Sequence, residues 1–167
     1  KGTEDNRVRK LDYSIQFSKL FYERFIQNGE ISLFSPHDVP GLYDAFGTDD
    51  FDTLYRMHEL NDAVPRKTVK AQELILDILK ERAETGRIYI MNLDHCNSHS
   101  SFLDKVEMSN LCQEITLPTR PLNHIDSKEG EIALCILSAV NVSKLRSLQK
   151  MEELCDLAVR GLEELID

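Results

Sequence analysis

The chain has 167 residues, a length suited to one domain or part of one. Its 20 basic and 29 acidic residues leave a formal charge of −9, which argues against a basic face built to neutralise nucleic-acid phosphates and against docking on an anionic leaflet. Hydrophobic residues make up 41% and charged residues 29%, so a core is expected and wholesale disorder is not.

In chain order, Asp12 to Gln27 reads as a helix with Ile15, Leu20, Phe21 and Phe25 on its apolar side and Asn28-Gly29 as its stop. Glu30 to Phe34 alternates like a short strand, and Ser35 to Gly41, with Pro36 and Pro40, breaks regular structure. Leu42 to Phe46 suits one helical turn. Asp49 to Leu60 suits a helix with Phe51, Leu54, Tyr55 and Met57 inward. The longest helix is expected from Val64 to Thr85, with Pro65 in its first turn, Val69, Ile75, Ile78 and Leu79 buried, and Gly86 just past its end.

Arg87 to Asn92 follows as a strand, the α-to-β half of a βαβ unit. From Leu93 to Pro121 no long periodic segment occurs, only a short strand-like run at Cys112 to Leu117; an interval this long between strands is the mark of a functional loop. Glu131 to Ser138 is a continuous apolar run, expected as a strand buried on both faces. A last helix is expected from Ser147, burying Leu148, Met151, Leu154 or Cys155, Ala158, Leu162 and Leu165. Long helices between strands imply an α/β fold with mainly parallel strands. The longest apolar run, Ile132 to Leu137, is far short of the ~18 residues of a membrane span. The first residue is not Met, and the last residues lie inside a helical pattern, so the chain reads as a piece of a longer protein.

The cysteines stand at 96, 112, 135 and 155, with no C-x-x-C pair, which weakens a zinc or thioredoxin-like reading; their low density fits a reducing, cytoplasmic setting. The densest polar cluster is Ser109-Asn110-Leu111-Cys112-Gln113-Glu114. In an extended chain Asn110, Cys112 and Glu114 point the same way at steps of about 7 Å. A carboxamide, a thiol and a carboxylate in a row are a positioner, a redox or nucleophilic sulfur and a proton acceptor. Spacing alone favours the plainer reading, a polar edge strand with an incidental cysteine. Cys135 in its apolar run and Cys155 on a helix face read as small core residues. His95 and His99 would share a face only on a helix, and Asn97 and Ser98 favour a loop, so no metal site is expected.

The block Met108-Ser109-Asn110-Leu111-Cys112-Gln113-Glu114-Ile115-Thr116-Leu117-Pro118-Thr119 resembles the active-site loop of the class I ribonucleotide reductase large subunit, in its aerobic bacterial form. The flanking blocks Lys1 to Arg9, Leu33 to Tyr43, Thr85 to Tyr89 and Gly130 to Cys135 resemble it too, in the same order. The resemblance implies part of a ten-stranded α/β barrel of two parallel five-stranded halves. Arg87 to Asn92 would be a barrel strand, residues 94–117 the finger loop inside the barrel, and Glu131 to Ser138 the next strand.

The resemblance also implies roles. Cys112 becomes a thiyl radical that takes hydrogen from C3′ of a ribonucleoside diphosphate. Glu114 is the base at the 3′-hydroxyl, Ser109, Asn110 and Glu114 bind the ribose, and Cys135 is half of the reducing dithiol. No cofactor would be bound by this chain. The radical would come from a di-iron/tyrosyl small (beta) subunit and the reducing electrons from thioredoxin or glutaredoxin. ATP and deoxynucleotide effectors, and homodimer formation, would belong to the complete subunit. The other redox cysteine, the radical-passing tyrosines, the phosphate-binding loop and the ATP cone are expected outside these residues. The chain alone is therefore expected to be inactive and, with open strand edges, to associate. The competing reading is a non-catalytic split or truncated half that must assemble with another chain.

Overall fold

The computed structural model describes residues 10–166, so the Lys1–Arg9 block lies outside the described residues, as does Asp167. The chain divides into two compact units, 1–131 and 132–167. No helix among the described residues is long and apolar enough to cross a membrane.

The first unit starts with a strand where a helix was expected. Tyr13–Phe17 (β1) pairs in parallel with Ile88–Asn92 (β4), with Ile15 opposite Ile90. The expected helix is split by Ser18, whose hydroxyl accepts from Phe21 N–H at 3.4 Å and caps the helix Lys19–Ile26 (α1). A cap side chain that satisfies an orphan helix donor sets the boundary more sharply than apolar spacing does. Asn28, at φ 52°, takes the left-handed conformation that ends α1, as the Asn-Gly stop suggested.

Glu30–Phe34 (β2) forms as expected. Leu42–Ala45 (α2) and Phe51–Leu60 (α3) follow. On α3 the inward residues are Phe51, Tyr55 and His58, whereas Met57 is 55% exposed. The expected long helix is also split. Arg66–Lys70 (β3) pairs antiparallel with β2, and only Ala71–Thr85 (α4) is helical. Gly86 closes α4 at φ 67°, in the conformation a helix end asks of glycine. The architecture is thus mixed α/β. The β1–β4 pair is parallel, with α1 and α4 against it, and the β2–β3 ribbon is antiparallel.

Three apolar clusters hold this unit. Leu20, Val39, Leu42, Phe51 and Tyr55 form one, Phe17, Phe21, Ile31 and Ala71 the second, and Met91, Leu93 and Val106 the third. Each fully buried aliphatic side chain contributes roughly 1.5–3 kcal/mol. A polar seam crosses the first cluster. The Tyr55 hydroxyl accepts from Ser32 N–H at 2.7 Å and donates to Ser32 C=O at 2.8 Å, so α3 is bonded to the backbone of β2. Glu59 accepts from Ser32 Oγ at 3.0 Å and pairs with Arg24 at 2.6 Å.

The second unit has a 3₁₀ turn at Val142–Lys144 and the helix Leu148–Glu163, capped by Ser147 Oγ accepting from Lys150 N–H at 3.2 Å. The expected burial is not reached: Met151, Leu154, Ala158 and Leu162 are half-buried, while Leu148, Cys155 and Leu165 are exposed. The apolar run Glu131 to Ser138 is not a strand. Glu131 makes an isolated bridge to Arg120, and Leu134 beyond it is 74% exposed. A strand exists only where a neighbour takes up its backbone N–H and C=O groups, and beyond Glu131 none of the described residues forms such a ladder with this run.

Replacing Tyr55 by Phe removes both bonds to Ser32 and leaves that backbone pair unsatisfied, an expected loss of about 1–3 kcal/mol by denaturant titration. Burial, reinforced by the charge of Glu59, pushes the Tyr55 phenol up to about 12. Its protonated form therefore contributes stability that is intact below the unfolded value near 10 and is lost as pH rises from there through about 12; Tyr55→Phe flattens that decline.

Candidate active site

The polar block identified in the sequence lies on one irregular segment, and its base is fixed before its tip. The segment opens with Leu93–Ser98 (α5), a short helix where a loop was expected. Leu93 is 2% exposed, and Asp94 accepts from the Lys19 N–H at the start of α1. That contact places a carboxylate where a helix N-terminus presents its free N–H groups. The segment then turns back to Val106, which is 0% exposed against Met91 and Leu93.

Three neighbouring residues tie this base to three different elements. Lys105 Nζ donates to Asp44 C=O at 2.8 Å, Val106 bonds to the Asn97 side chain through both of its backbone groups, and Glu107 C=O accepts from Gln16 Nε2 at 2.8 Å. Beyond them the chain forms a tight turn. Gln113 N–H donates to Asn110 C=O at 3.2 Å, Ile115 N–H donates to the Asn110 carboxamide oxygen at 3.0 Å, and Asn110 N–H donates to Ile115 C=O at 3.4 Å. Gln113 sits in the left-handed region at φ 62° and its carboxamide donates to Ser14 Oγ on β1.

The extended geometry expected over 110–114 is therefore replaced by a turn, and the strand expected at Cys112 to Leu117 is absent. The reason is local. The Asn110 carboxamide competes with ladder hydrogen bonds by bonding its own backbone neighbours, as asparagine does in turns. Asn110, Cys112 and Glu114 share one loop but not one row. Ser109 and Asn110 border a cleft of about 640 Å³ walled by Tyr13, Phe34, Tyr43 and Tyr55. Glu114 borders a different hollow, of about 400 Å³, beside Cys96 and His99. Cys112 is exposed at the tip, so no shield around its sulfur is built from the described residues.

No Lys or Arg is among the described residues lining the larger cleft. It presents aromatic faces and hydroxyls suited to a sugar or a base, and holds no cation for phosphate. His95 on α5 and His99 just past its end have ring centroids 6.1 Å apart, but His99 Nδ1 is 3.0 Å from His95 C=O, and no metal-binding group of three ligands occurs among the described residues. Cys135 is exposed in the second unit, contrary to its reading as a core residue. The residue missed in the sequence is Asn97. Its tendency to form turns was legible; its use as a side-chain clamp on a segment nine positions later was not.

Comparison with known proteins gives a family. Residues 1–167 match the profile of the ribonucleotide reductase barrel domain. The chain is 54% identical, over its full length, to the ribonucleoside-diphosphate reductase subunit alpha of Haemophilus influenzae, of which it covers 23%. It is 53% identical over 128 residues to the Escherichia coli ribonucleoside-diphosphate reductase 1 subunit alpha, covering 74% of this chain and 17% of that protein. Against the Neurospora crassa large chain it is 35% identical over 175 residues, covering 18% of that protein. The matched residues thus span 17–23% of the length of these relatives.

The four thiols should differ in reactivity. Cys112, Cys135 and Cys155 are exposed, while burial pushes the half-buried Cys96 thiol up and so lowers its thiolate fraction. Timed alkylation near pH 8, read by peptide mass spectrometry, should label Cys96 last.

Proposed function

The chain belongs to the ribonucleotide reductase barrel-domain family, and from that premise we propose that its loop at 109–114 carries the hydrogen-atom chemistry of ribonucleoside diphosphate reduction. The observation that carries the reading is the loop itself. A sulfur stands between an amide and an acid on a turn whose base is pinned to β1, α5 and the Asp44–Gly47 segment.

Cys112, as a thiyl radical, takes the hydrogen atom from C3′ of the ribose; the S–H bond it forms is close in strength to the C–H bond it breaks, so the step is reversible. Glu114 accepts the 3′-hydroxyl proton while the 2′-hydroxyl, protonated by a thiol of the reducing dithiol, leaves as water. Two electrons then come from a dithiol of which Cys135 is one half, oxidised to a disulfide. The hydrogen held by Cys112 finally returns to C3′, and the product is the 2′-deoxyribonucleoside diphosphate. Ser109 and Asn110, at the edge of the aromatic cleft, hydrogen-bond the ribose. No basic residue lines that cleft among those described, and the diphosphate is assigned to the phosphate-binding loop that the family resemblance implies for the complete subunit.

A small subunit supplies the unpaired electron, from a di-iron/tyrosyl centre, and thioredoxin or glutaredoxin restores the dithiol. ATP and deoxynucleotides act as effectors on a homodimer of the complete subunit. The setting is cytoplasmic and the product serves DNA synthesis. The shield that a radical on Cys112 requires is a closed barrel, to which this chain contributes the β1–β4 pair and the finger loop.

The test is ribonucleoside diphosphate reduction by the complete large subunit with small subunit, reductant and effector. Cys112→Ser should abolish turnover. Glu114→Gln should slow it by roughly 10²-fold or more, the scale of a lost general base. Cys135→Ser should allow the early steps and stop multiple turnover. The 167-residue chain alone should show no activity, and robust activity from it, or normal turnover by Cys112→Ser, would defeat the reading.

A further inference from the structure

One side chain at the base of the loop uses both of its N–H donors and its carbonyl oxygen. Asn97 Oδ1 accepts from Val106 N–H at 2.7 Å, and Asn97 Nδ2 donates to Val106 C=O at 3.1 Å and to Gly47 C=O at 3.1 Å. The first two bonds reproduce the donor-and-acceptor exchange of paired strands, with a side chain in place of a second backbone. The third ties the same amide to the Ala45–Thr48 bend, which Gly47 allows. Gly47 lies at φ 82°, and a Cβ there would stand 2.7 Å from Leu93 and 2.8 Å from Asn97 Nδ2. Val106 is fully buried, so its backbone groups have no access to water and depend on this amide.

We propose that Asn97, together with Gly47, is a positioning residue that sets the height and orientation of the Cys112 loop; the inference rests on the reading of that loop given above. Val106 is six residues before Cys112, and the intervening segment contains no regular element that could hold its own shape. Gln113, tied to Ser14 on β1, fixes the chain just after the sulfur and Val106 fixes it before, so a displacement at the base shifts the sulfur between these two points. Hydrogen-atom transfer requires the sulfur and C3′ at a short, fixed separation, and an error of about 1 Å in such a placement costs on the order of 10²-fold in rate.

Only a carboxamide fits. Aspartate keeps the acceptor and loses both donor bonds, alanine loses all three, and glutamine keeps the chemistry on a longer stem. Asn97 itself borders hollows away from the aromatic cleft, beside Lys19 and Asp94, so substrate affinity should not depend on it.

The experiment compares Asn97→Ala, Asn97→Asp, Asn97→Gln and Gly47→Ala in the complete large subunit, using three readouts: kcat, equilibrium substrate binding and the alkylation rate of Cys112. Expected are a fall in kcat of roughly 10²-fold for Ala and Asp, a smaller fall for Gln, binding within about threefold of wild type, and a changed Cys112 alkylation rate with faster exchange of the Val106 amide hydrogen. Should the alanine variant fail to fold, the near-isosteric Asp variant decides. Wild-type kcat in Asn97→Asp, or a fall in kcat with Cys112 alkylation and Val106 exchange unchanged, overturns the proposal. A wild-type subunit without reductase activity, but whose Asn97 variants still alter Cys112 alkylation and Val106 exchange, would instead defeat the functional reading and leave the clamp standing.

Discussion

An irregular segment cannot hold its own shape, so whatever it carries is placed only as well as its base is anchored. That constraint governs this molecule. The residues of chemical interest sit on a turn without helix or strand around it, and the segment leading to it starts at Val106, buried against Met91 and Leu93. Burial fixes Val106 in position, but it also strips water from its N–H and C=O. The Asn97 amide satisfies both and adds a bond to Gly47. Apolar burial and hydrogen bonding thus act on the same residue, one holding it inside and the other fixing its orientation.

The rest of the first unit makes that anchor possible. Ser18 ends β1 and caps α1, Asp94 answers the N-terminus of α1 from α5, and Tyr22 donates to Asn92 at 2.6 Å from α1 to the end of β4. The Asp94 and Tyr22 contacts join α1 to residues some 70 positions later, at the start of α5 and the end of β4. The Tyr55–Ser32 pair does the same between α3 and β2, where it also keeps the aromatic wall of the cleft in place.

The turn over residues 110–115 changes how the loop chemistry is understood. Alternation along a strand would have put the amide, the sulfur and the acid in one row. The Asn110 carboxamide instead bonds to Ile115 N–H, Gln113 adopts a positive φ, and the acid falls on a different side from Ser109 and Asn110. The chain reversal keeps the three groups on one short loop but turns them toward different sides. The second unit illustrates the complementary case. Its helix is well capped, yet its apolar stripe is only half-covered, and Ile132 to Leu137 has the composition of a buried strand without the pairing that would make it one.

Sequence alone settled what local chemistry dictates. Glu30–Phe34, α2, α3, β4 and the helix after Ser147 were legible because alternation, capping and glycine stops act over a few residues. The 109–114 block was legible as a family motif, which the match over the whole chain supports. Tertiary structure decided the rest. Residues 13–17 and 66–70 became strands because β4 and β2 offered them backbone partners, which no apolar pattern encodes. Asn97 became a clamp because folding brought Gly47 and Val106 within reach of one amide. Glu131 to Ser138 shows the limit from the other side: strand formation is a property of two segments, and a single segment's composition specifies only half of it.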